Sequence, residues 1–252
     1  MSEALLYHQI SFDTAHVPFS ASPGHATFFD SESAAANASR VTDLHEKAIV
    51  RWLLGFHPAR HIILQDLGVL ADAFCKPEVV EPFYAPGAGD LDLLICHPCA
   101  PDQALALECK KVKVEIRNAG QDRLTKLKDV GHGVVQANRL YKGRFGFHQT
   151  YLCIITEVEA SAQEPVNVPN RGLRSDTTPE RGDTRTTTFR QIVEFPGRDD
   201  LYHRIGIVFI EVTQPSRLSI DTRANVRVCV YRRAERRDQS NTVTNRVLDL
   251  VR

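Results

Sequence analysis

Four charged residues inside apolar stretches of one short segment constrain the fold of this chain more than any other feature. The segment GDLDLLICHPCAPDQALALECKK, residues 89–111, carries Asp90, Asp92, Glu108 and Lys110 within runs that are otherwise typical of a protein interior. A carboxylate or ammonium buried without a partner costs several kcal/mol or loses its charge. The cluster therefore requires either a structural ion pair or a metal ion.

The two apolar stretches predict a β-hairpin. Residues 89–96 and 104–116 are typical of strands, and the intervening HPCAPDQ is turn-like. Within this turn, CHPC (residues 96–99) has the spacing of half a zinc site, but the chain has no second pair with ligand spacing. We therefore expect a turn rather than a zinc site.

The strand register predicts which of the charged side chains meet. Side chains two apart on a strand share a face, so Glu108 and Lys110 point together, and so do Asp90 and Asp92. Pairing in a hairpin brings one of the aspartates close to Glu108. Two carboxylates so placed can hold one hard cation, with Lys110 beside it.

This arrangement has two interpretations. A metal held by carboxylates next to a lysine suits phosphodiester hydrolysis, because the cation polarises the phosphate and acidifies a bound water while the lysine orients that water and offsets developing charge. Alternatively, Asp92 and Lys110 form a cross-strand ion pair without a metal, worth about 0.2–1 kcal/mol at a surface. The sequence pattern leaves both open.

The remaining chain predicts an alternation of helices and strands. Helices are expected at residues 41–56, where Asp43 is placed to cap, and at about 129–142. Within the second, the GHG of residues 131–133 resembles a flexible helix start, although an ordinary loop is the favoured interpretation. Residues 61–74 are expected to be strand in part. Further strands are predicted at residues 150–158, 205–213 and 225–233.

These elements predict one main domain. Residues 1–40 show no periodicity, and residues 159–190 are rich in Pro, Thr, Gly and charge, as in a long functional or mobile loop. The predicted organisation is an N-terminal extension (1–40), a core (41–158), a polar insertion loop (159–190) and a C-terminal strand extension of the same domain (191–252).

The formal net charge of zero, with 31 basic and 31 acidic residues, conceals a basic block. Residues 1–100 carry 5 Lys/Arg against 12 Asp/Glu, whereas residues 108–144 carry 10 against 4. Such an excess suits a polyanion such as nucleic acid, although a solvated basic face has the same composition. The same two interpretations hold for YRRAERR (231–237). The candidate nucleic-acid-binding residues are Lys111, Lys113, Lys126, Lys128, Arg139 and Lys142.

Composition also bounds the compartment. The chain begins without a basic leader followed by an apolar run, and no stretch approaches the roughly 18–20 apolar residues that span a bilayer. The six cysteines lie mostly in apolar strand-like runs, as buried reduced thiols do. We expect a cytoplasmic protein without a membrane partner.

At GDLDLLI and LECK the sequence resembles the PD-(D/E)XK nuclease superfamily, whose signature is an acidic residue on one strand followed across a turn by Glu-x-Lys. The resemblance implies an α/β restriction-endonuclease-like core, a central mixed β-sheet flanked by α-helices, that uses Mg²⁺ or Mn²⁺. It makes Asp92 and Glu108 metal ligands, with the Cys109 carbonyl completing the sphere, and Lys110 the catalytic lysine. No proline precedes Asp92, which departs from the motif's name.

Two further residues match positions that some members of the superfamily use. Glu46, on the first predicted helix, would be an additional acidic catalytic residue, although three residues after Asp43 it could equally be a capping-box glutamate. Gln136, on the helix after Glu-x-Lys, would be a catalytic glutamine, although a partly exposed helical glutamine is an ordinary feature.

The resemblance implies a metal-dependent DNA endonuclease of the restriction, phage-defence or repair type. Cutting of both strands would favour a homodimer or a larger complex. Two alternatives remain: a nucleic-acid-binding or assembly subunit that keeps the fold without cutting, and an RNA-cleaving member.

Overall fold

The two strands that carry Asp92, Glu108 and Lys110 form the predicted hairpin within a larger mixed sheet. The computed structural model describes residues 5–13, 44–79, 91–116, 122–142, 146–160, 180–182, 194–215 and 223–252. Its strands are β1 (Leu5–Asp13), β2 (Phe74–Val79), β3 (Leu91–His97), β4 (Ala100–Ile116), β5 (Asp122–Thr125), β6 (Gln149–Ala160), β7 (Glu180–Gly182), β8 (Gly206–Pro215) and β9 (Arg223–Arg232). Its α-helices are α1 (Glu46–Gly55), α2 (His57–Leu67), α3 (Leu127–Lys142) and α4 (Asn241–Val251).

The strand order confirms a mixed α/β sheet. The order is β2-β3-β4-β6-β8-β9-β1-β7, and β5 pairs with β4. The β4–β6 and β6–β8 pairs are parallel, and the other neighbours are antiparallel. A parallel pair needs a crossover, and α3 lies in the connection between β4 and β6.

Helices cover both faces of the sheet, so that β4 runs through the middle of three layers. On β4, Leu107 and Cys109 pack in the core beneath α1 and α2, whereas Val112 packs on the other face, beneath α3. Side chains alternate along a strand, which places Glu108 and Lys110 together on the α3 face. The predicted shared face of these two residues is thus confirmed.

Residues 61–74 differ from their prediction. The expectation of a strand is wrong for residues 61–67, which belong to α2, and β2 begins only at Phe74. Pro58 lies in the first turn of α2, and Gly68, with φ of 74°, ends the helix. Both are ordinary helix-boundary signals, and the apolar run HIIL obscured them.

Both ends of the chain contain elements that periodicity did not reveal. Strand β1, inside the predicted N-terminal extension, pairs antiparallel with β9. The predicted strands β8 and β9 are confirmed, but the C-terminal extension also contains helix α4, where the Ser240 side chain accepts a 3.3 Å hydrogen bond from the Val243 backbone N–H. The GHG sequence lies inside α3, not at its start.

Some expectations lie outside the described residues. Of residues 159–190, only 159–160 and 180–182 are described, so the loop prediction is largely untested; the same holds for the cap at Asp43. The residue before α1 is His45, whose side chain makes no capping hydrogen bond. No helix in the described ranges combines the length and apolarity needed to cross a bilayer.

Candidate active site

The candidate site lies where β3 and β4 stop pairing. The backbone pairing of the hairpin extends as far as Leu93 and Leu107. Beyond this pair, the next link between the strands is made by a side chain: Asp92, the residue before Leu93, accepts a 2.7 Å hydrogen bond at its Oδ2 from the Cys109 backbone N–H. The Asp92 carboxylate thus bridges the two strands.

The Lys110 ammonium lies at the centre of a cluster of oxygens. Its Nζ is 2.7 Å from Glu108 Oε1, 3.4 Å from Glu46 Oε1 and 3.6 Å from Asp92 Oδ2. It also donates a 2.9 Å hydrogen bond to the Cys109 carbonyl. Three carboxylates therefore surround one ammonium, and the cluster carries more negative than positive charge when all groups are ionised.

Glu108 is the most deeply buried carboxylate of the cluster, with its side chain 2% exposed. Burial raises the pKa of Glu108 to about 8, the neighbouring Asp92 adds to the rise, and Lys110 opposes it. Glu108 Oε1 lies 2.7 Å from Lys110 Nζ, so the lysine ammonium is its cationic partner. Carboxylate oxygens of this kind are also the ligands that hard divalent cations prefer.

The other two charged groups of the strands respond in different ways. Burial raises the pKa of Asp92, although Lys110 and the Cys109 N–H lower it in part. For Lys110, burial favours the neutral amine, but Glu108 and then Asp92 outweigh it, so that its pKa is raised above the usual value. Lys110 is therefore a permanent cation at neutral pH.

Glu46 reaches the cluster from the first turn of α1. Its Oε2 accepts a 2.9 Å hydrogen bond from the Lys111 backbone N–H, and its Oε1 faces Lys110. One third of its side chain is exposed, more than for the other members. The structure thus brings Glu46 to the predicted site, and the capping alternative has no support among the described residues.

The fit of the cluster to a divalent cation depends on few side chains. No group of three or more Asp, Glu, His or Cys side chains in the described ranges is arranged to hold a metal ion. The fit therefore rests on two side chains, Asp92 and Glu108, together with the Cys109 carbonyl. All three supply oxygen donors of the kind that Mg²⁺ and Mn²⁺ prefer, with the exposed Glu46 nearby.

A small depression opens beside the cluster, lined by residues that include Glu46, Asp92, Cys109 and Glu78. The sequence analysis missed Glu78, whose Oε2 lies 3.0 Å from an Arg51 guanidinium nitrogen. Its φ of 54° is unusual for a residue other than glycine and could not be read from the sequence. The Glu78 carboxylate is thus paired with Arg51 at the edge of the depression.

Gln136 is not joined to the cluster. It is exposed on α3, and among the described residues it has no hydrogen bond to any of the charged groups. One turn earlier on the same helix, the buried Gly133 faces the stem of Lys110 instead. Gln136 therefore stays a prediction, whereas Gly133 is a site neighbour that the sequence analysis treated only as part of a flexible motif.

The predicted basic residues separate into two groups. Lys111 is buried, its Nζ lies 2.8 Å from Glu157 Oε1, and it donates a short hydrogen bond to the Leu44 carbonyl, so it is not on a surface. Lys113 is half-buried, and the other predicted cations are exposed.

Residues spaced by three or four share a helix side. The exposed side of α3, called here the α3 strip, carries Lys128, His132, Val135, Arg139 and Lys142.

Two other sequence motifs have structural roles. In YRRAERR, the guanidiniums of Arg232 and Arg237 bind backbone carbonyls, at 2.8 Å from Ile205 O and 2.7 Å from Phe147 O. CHPC contains the predicted turn between β3 and β4. All six cysteines are free thiols, as predicted.

Comparisons of the chain with protein-family models, with curated proteins and with solved structures found no match.

Proposed function

We propose that this chain is a metal-dependent nuclease with a restriction-endonuclease-like core, and that it hydrolyses phosphodiester bonds of DNA. The observation that supports this proposal best is the convergence of Asp92, Glu108 and Lys110 at the point where two paired strands separate. Strands β3 and β4 thus bring two carboxylates and one ammonium together beside a depression. A purely structural ion pair needs neither the second carboxylate nor the opening.

Asp92, Glu108 and the Cys109 carbonyl would hold Mg²⁺ or Mn²⁺. When bound, the cation supplies Lewis-acid stabilisation of the phosphate and favours deprotonation of a water molecule. Asp92 is kept in place by the Cys109 N–H, and Glu108 by the layers that bury it, so neither carboxylate has to be ordered when a cation enters. Glu46, the most exposed of the three acids, is placed to contact the substrate side.

Lys110 acts as a positively charged positioning group rather than as a base. Its pKa is raised by the adjacent carboxylates, so it holds its proton at neutral pH. An ammonium at this position can donate a hydrogen bond to the attacking water and stabilise the negative charge that develops on the phosphate. Lysine suits this role because its charge is compact and its three donors can rotate.

The basic surface supports a nucleic-acid substrate. The α3 strip presents Lys128, Arg139 and Lys142 to solvent on the helix whose inner side contacts Lys110. The cations lie on the outer side of α3, whereas the candidate site lies on β3, β4 and α1, with Lys110 against the inner side of that helix. A row of cations along one helix suits a polyanionic backbone, which favours DNA or RNA over a small phosphoester.

A non-cutting nucleic-acid-binding or assembly subunit is the second candidate. The observation in its favour is that Lys110 already lies within 3.6 Å of three carboxylates, an arrangement that a purely structural charge cluster would also have. Such a subunit would bind nucleic acid through the same surface and leave it intact.

The test is an incubation of the purified protein with supercoiled, linear and single-stranded DNA and with RNA, each with Mg²⁺, with Mn²⁺ or with EDTA. We expect metal-dependent cutting of DNA that EDTA abolishes. Lys110→Ala protein purified in parallel controls for contaminating nucleases. Cutting of RNA alone would support the RNA-cleaving alternative, and binding without cutting of any substrate would support the assembly subunit.

A further inference from the structure

Gly133 is buried in the middle of α3, where glycine is among the weakest helix formers. It belongs to the GHG motif, whose other glycine, Gly131, lies half a turn away on the same helix. A helix in this place would gain stability from alanine at either position if nothing opposed it. The surroundings of the two glycines differ, and the difference concerns Lys110.

A Cβ atom at position 133 would lie 2.6 Å from Lys110 Cγ, 3.2 Å from Lys110 Cε and 3.2 Å from Leu152 Cδ1. The first distance is shorter than real contacts allow. Because Cγ is close to the backbone, the lysine can relieve the clash only by changing the torsion that directs its whole stem. Leu152, on the neighbouring strand β6, limits the room available for that change.

We infer that Gly133 is a positioning residue: its missing side chain lets the Lys110 stem lie flat against α3, which delivers Nζ to the centre of the carboxylate cluster. The inference rests on the proposed function for its catalytic consequence, but its steric part is independent of any activity. Gly133 touches no reacting atom in this arrangement. It acts only through Lys110.

The matched control is Gly131→Ala. A Cβ atom at position 131 would meet Pro196 O at 3.7 Å and Pro196 Cβ at 4.0 Å, which are ordinary van der Waals distances. Both substitutions add one methyl group to the same helix and improve its intrinsic propensity equally. They differ in whether the methyl group meets Lys110.

The experiment is a pair of double-mutant cycles, one on the melting temperature and one on cleavage. In the wild-type background, Gly133→Ala should lower Tm, whereas Gly131→Ala should raise it by about 2–4 °C. In a Lys110→Ala background, which removes Cγ and the rest of the stem and leaves only the 3.2 Å approach to Leu152 Cδ1, Gly133→Ala should lower Tm clearly less than in the wild type, or raise it. Equal Tm changes for Gly133→Ala in both backgrounds would overturn the inference.

The catalytic part of the experiment measures the effect of each substitution on kcat and on KM separately. Gly133→Ala should lower kcat about 100-fold, with KM nearly unchanged, because a displacement of about 1 Å in a catalytic group has this size of effect. Gly131→Ala should cut like the wild type. Gly133→Ala cutting at the wild-type rate would show that Lys110 keeps its position without the glycine, and would also overturn the inference.

The two parts separate this inference from the proposed function. If the wild type cuts nothing, the nuclease proposal fails, and the difference between the Tm changes in the two backgrounds still decides whether Gly133 positions Lys110. A ¹⁵N spectrum of the lysine ammonium groups gives a third readout. The signal that Lys110→Ala removes should shift in Gly133→Ala and stay in place in Gly131→Ala; an unshifted signal in Gly133→Ala would contradict the inference.

Discussion

Lys110 and Lys111 are neighbours on one strand, and both are buried, but their surroundings differ. Lys111 faces the α1–α2 layer, where it pairs with Glu157 and binds the carbonyl that precedes α1. Lys110 faces the other layer, and its ammonium lies among three carboxylates beside an opening to solvent. Lys111 has the environment of a sealed structural ion pair, whereas the excess of carboxylates around Lys110 is what a cation site requires.

The comparison shows that burial of a charge does not by itself indicate function. What distinguishes the two lysines is the presence of three carboxylates around Lys110 and the exposure of one of them, Glu46, whereas Glu157 beside Lys111 is fully buried. A buried ion pair stabilises a fold at best weakly but is costly to break. An unmatched group of acids next to an opening can accept a further cation. The following predictions separate the two lysines by experiment.

The largest effect is expected for cleavage by Lys110 variants. Both Lys110→Ala and Lys110→Arg should stay folded and bind nucleic acid, while their cleavage rates fall by orders of magnitude, because a transition-state contact is lost. Arginine keeps the charge but is planar and larger, so it should rescue an ion pair and fail as a compact catalytic ammonium. Gel assays of cleavage and Tm measurements decide. Wild-type cutting by Lys110→Arg would assign Lys110 a structural role.

Lys111 should show the opposite profile. Lys111→Met leaves the fully buried Glu157 without its ammonium partner and should destabilise the fold by about 3–5 kcal/mol. The double variant Lys111→Met/Glu157→Leu should recover most of this loss, because it removes the remaining charge as well. Denaturant unfolding measures both. A Lys111→Met protein as stable as the wild type would show that the comparison is wrong on the structural side.

The excess of carboxylates around Lys110 should also make the stability of the folded protein depend on pH. The pKa of Glu108, about 8, lies above its usual 4.5, so the folded protein holds a proton that the unfolded chain releases between these values. Stability of the metal-free protein should therefore fall as pH rises from 4.5 to 8. Glu108→Gln should flatten this fall, by up to about 1.4 kcal/mol per unit of pKa shift. Identical pH profiles for the two proteins would contradict a protonated Glu108.

A smaller effect is expected from the surface cations. If Lys128, Arg139 and Lys142 contact a duplex backbone, the logarithm of affinity should fall with the logarithm of salt concentration by about 0.9 per contacted phosphate. Each alanine substitution should reduce the slope by about that amount. The Lys111→Met/Glu157→Leu variant, whose two changes are buried, should leave the slope unchanged. Fluorescence anisotropy with a labelled duplex tests this, and a flat salt dependence in the wild type would remove the basic surface from the account.

The sequence was sufficient for the parts that local patterns determine. The strands around the charged segment, the helix containing Val134 and Ala137, and the shared face of Glu108 and Lys110 follow from periodicity alone. Asp92 was identified from its Gly-Asp-Leu-Asp setting, and its contact with the Cys109 N–H is consistent with that choice.

Long-range packing decided what the sequence left open. Lys111 looked like any other cation of the basic block, because its partner Glu157 lies 46 residues later and meets it only through the parallel pairing of β4 and β6. The run HIIL in α2 is compatible by composition with a strand as well as with a helix. Its helical form depends on packing in the core between α1, α2 and the sheet, which the local sequence does not show. The role of Gly133 depends on a contact between a helix and a strand, which no local pattern encodes.

The central claim, that the surroundings of Lys110 form a cation site and those of Lys111 do not, is tested most directly by calorimetry with Mn²⁺. We predict that the wild type binds Mn²⁺, that Asp92→Asn and Glu108→Gln lose most of the binding, and that the Lys111→Met/Glu157→Leu variant retains it. Binding that is equal in the wild type and Asp92→Asn, or that disappears only when Lys111 and Glu157 are replaced, would contradict the account.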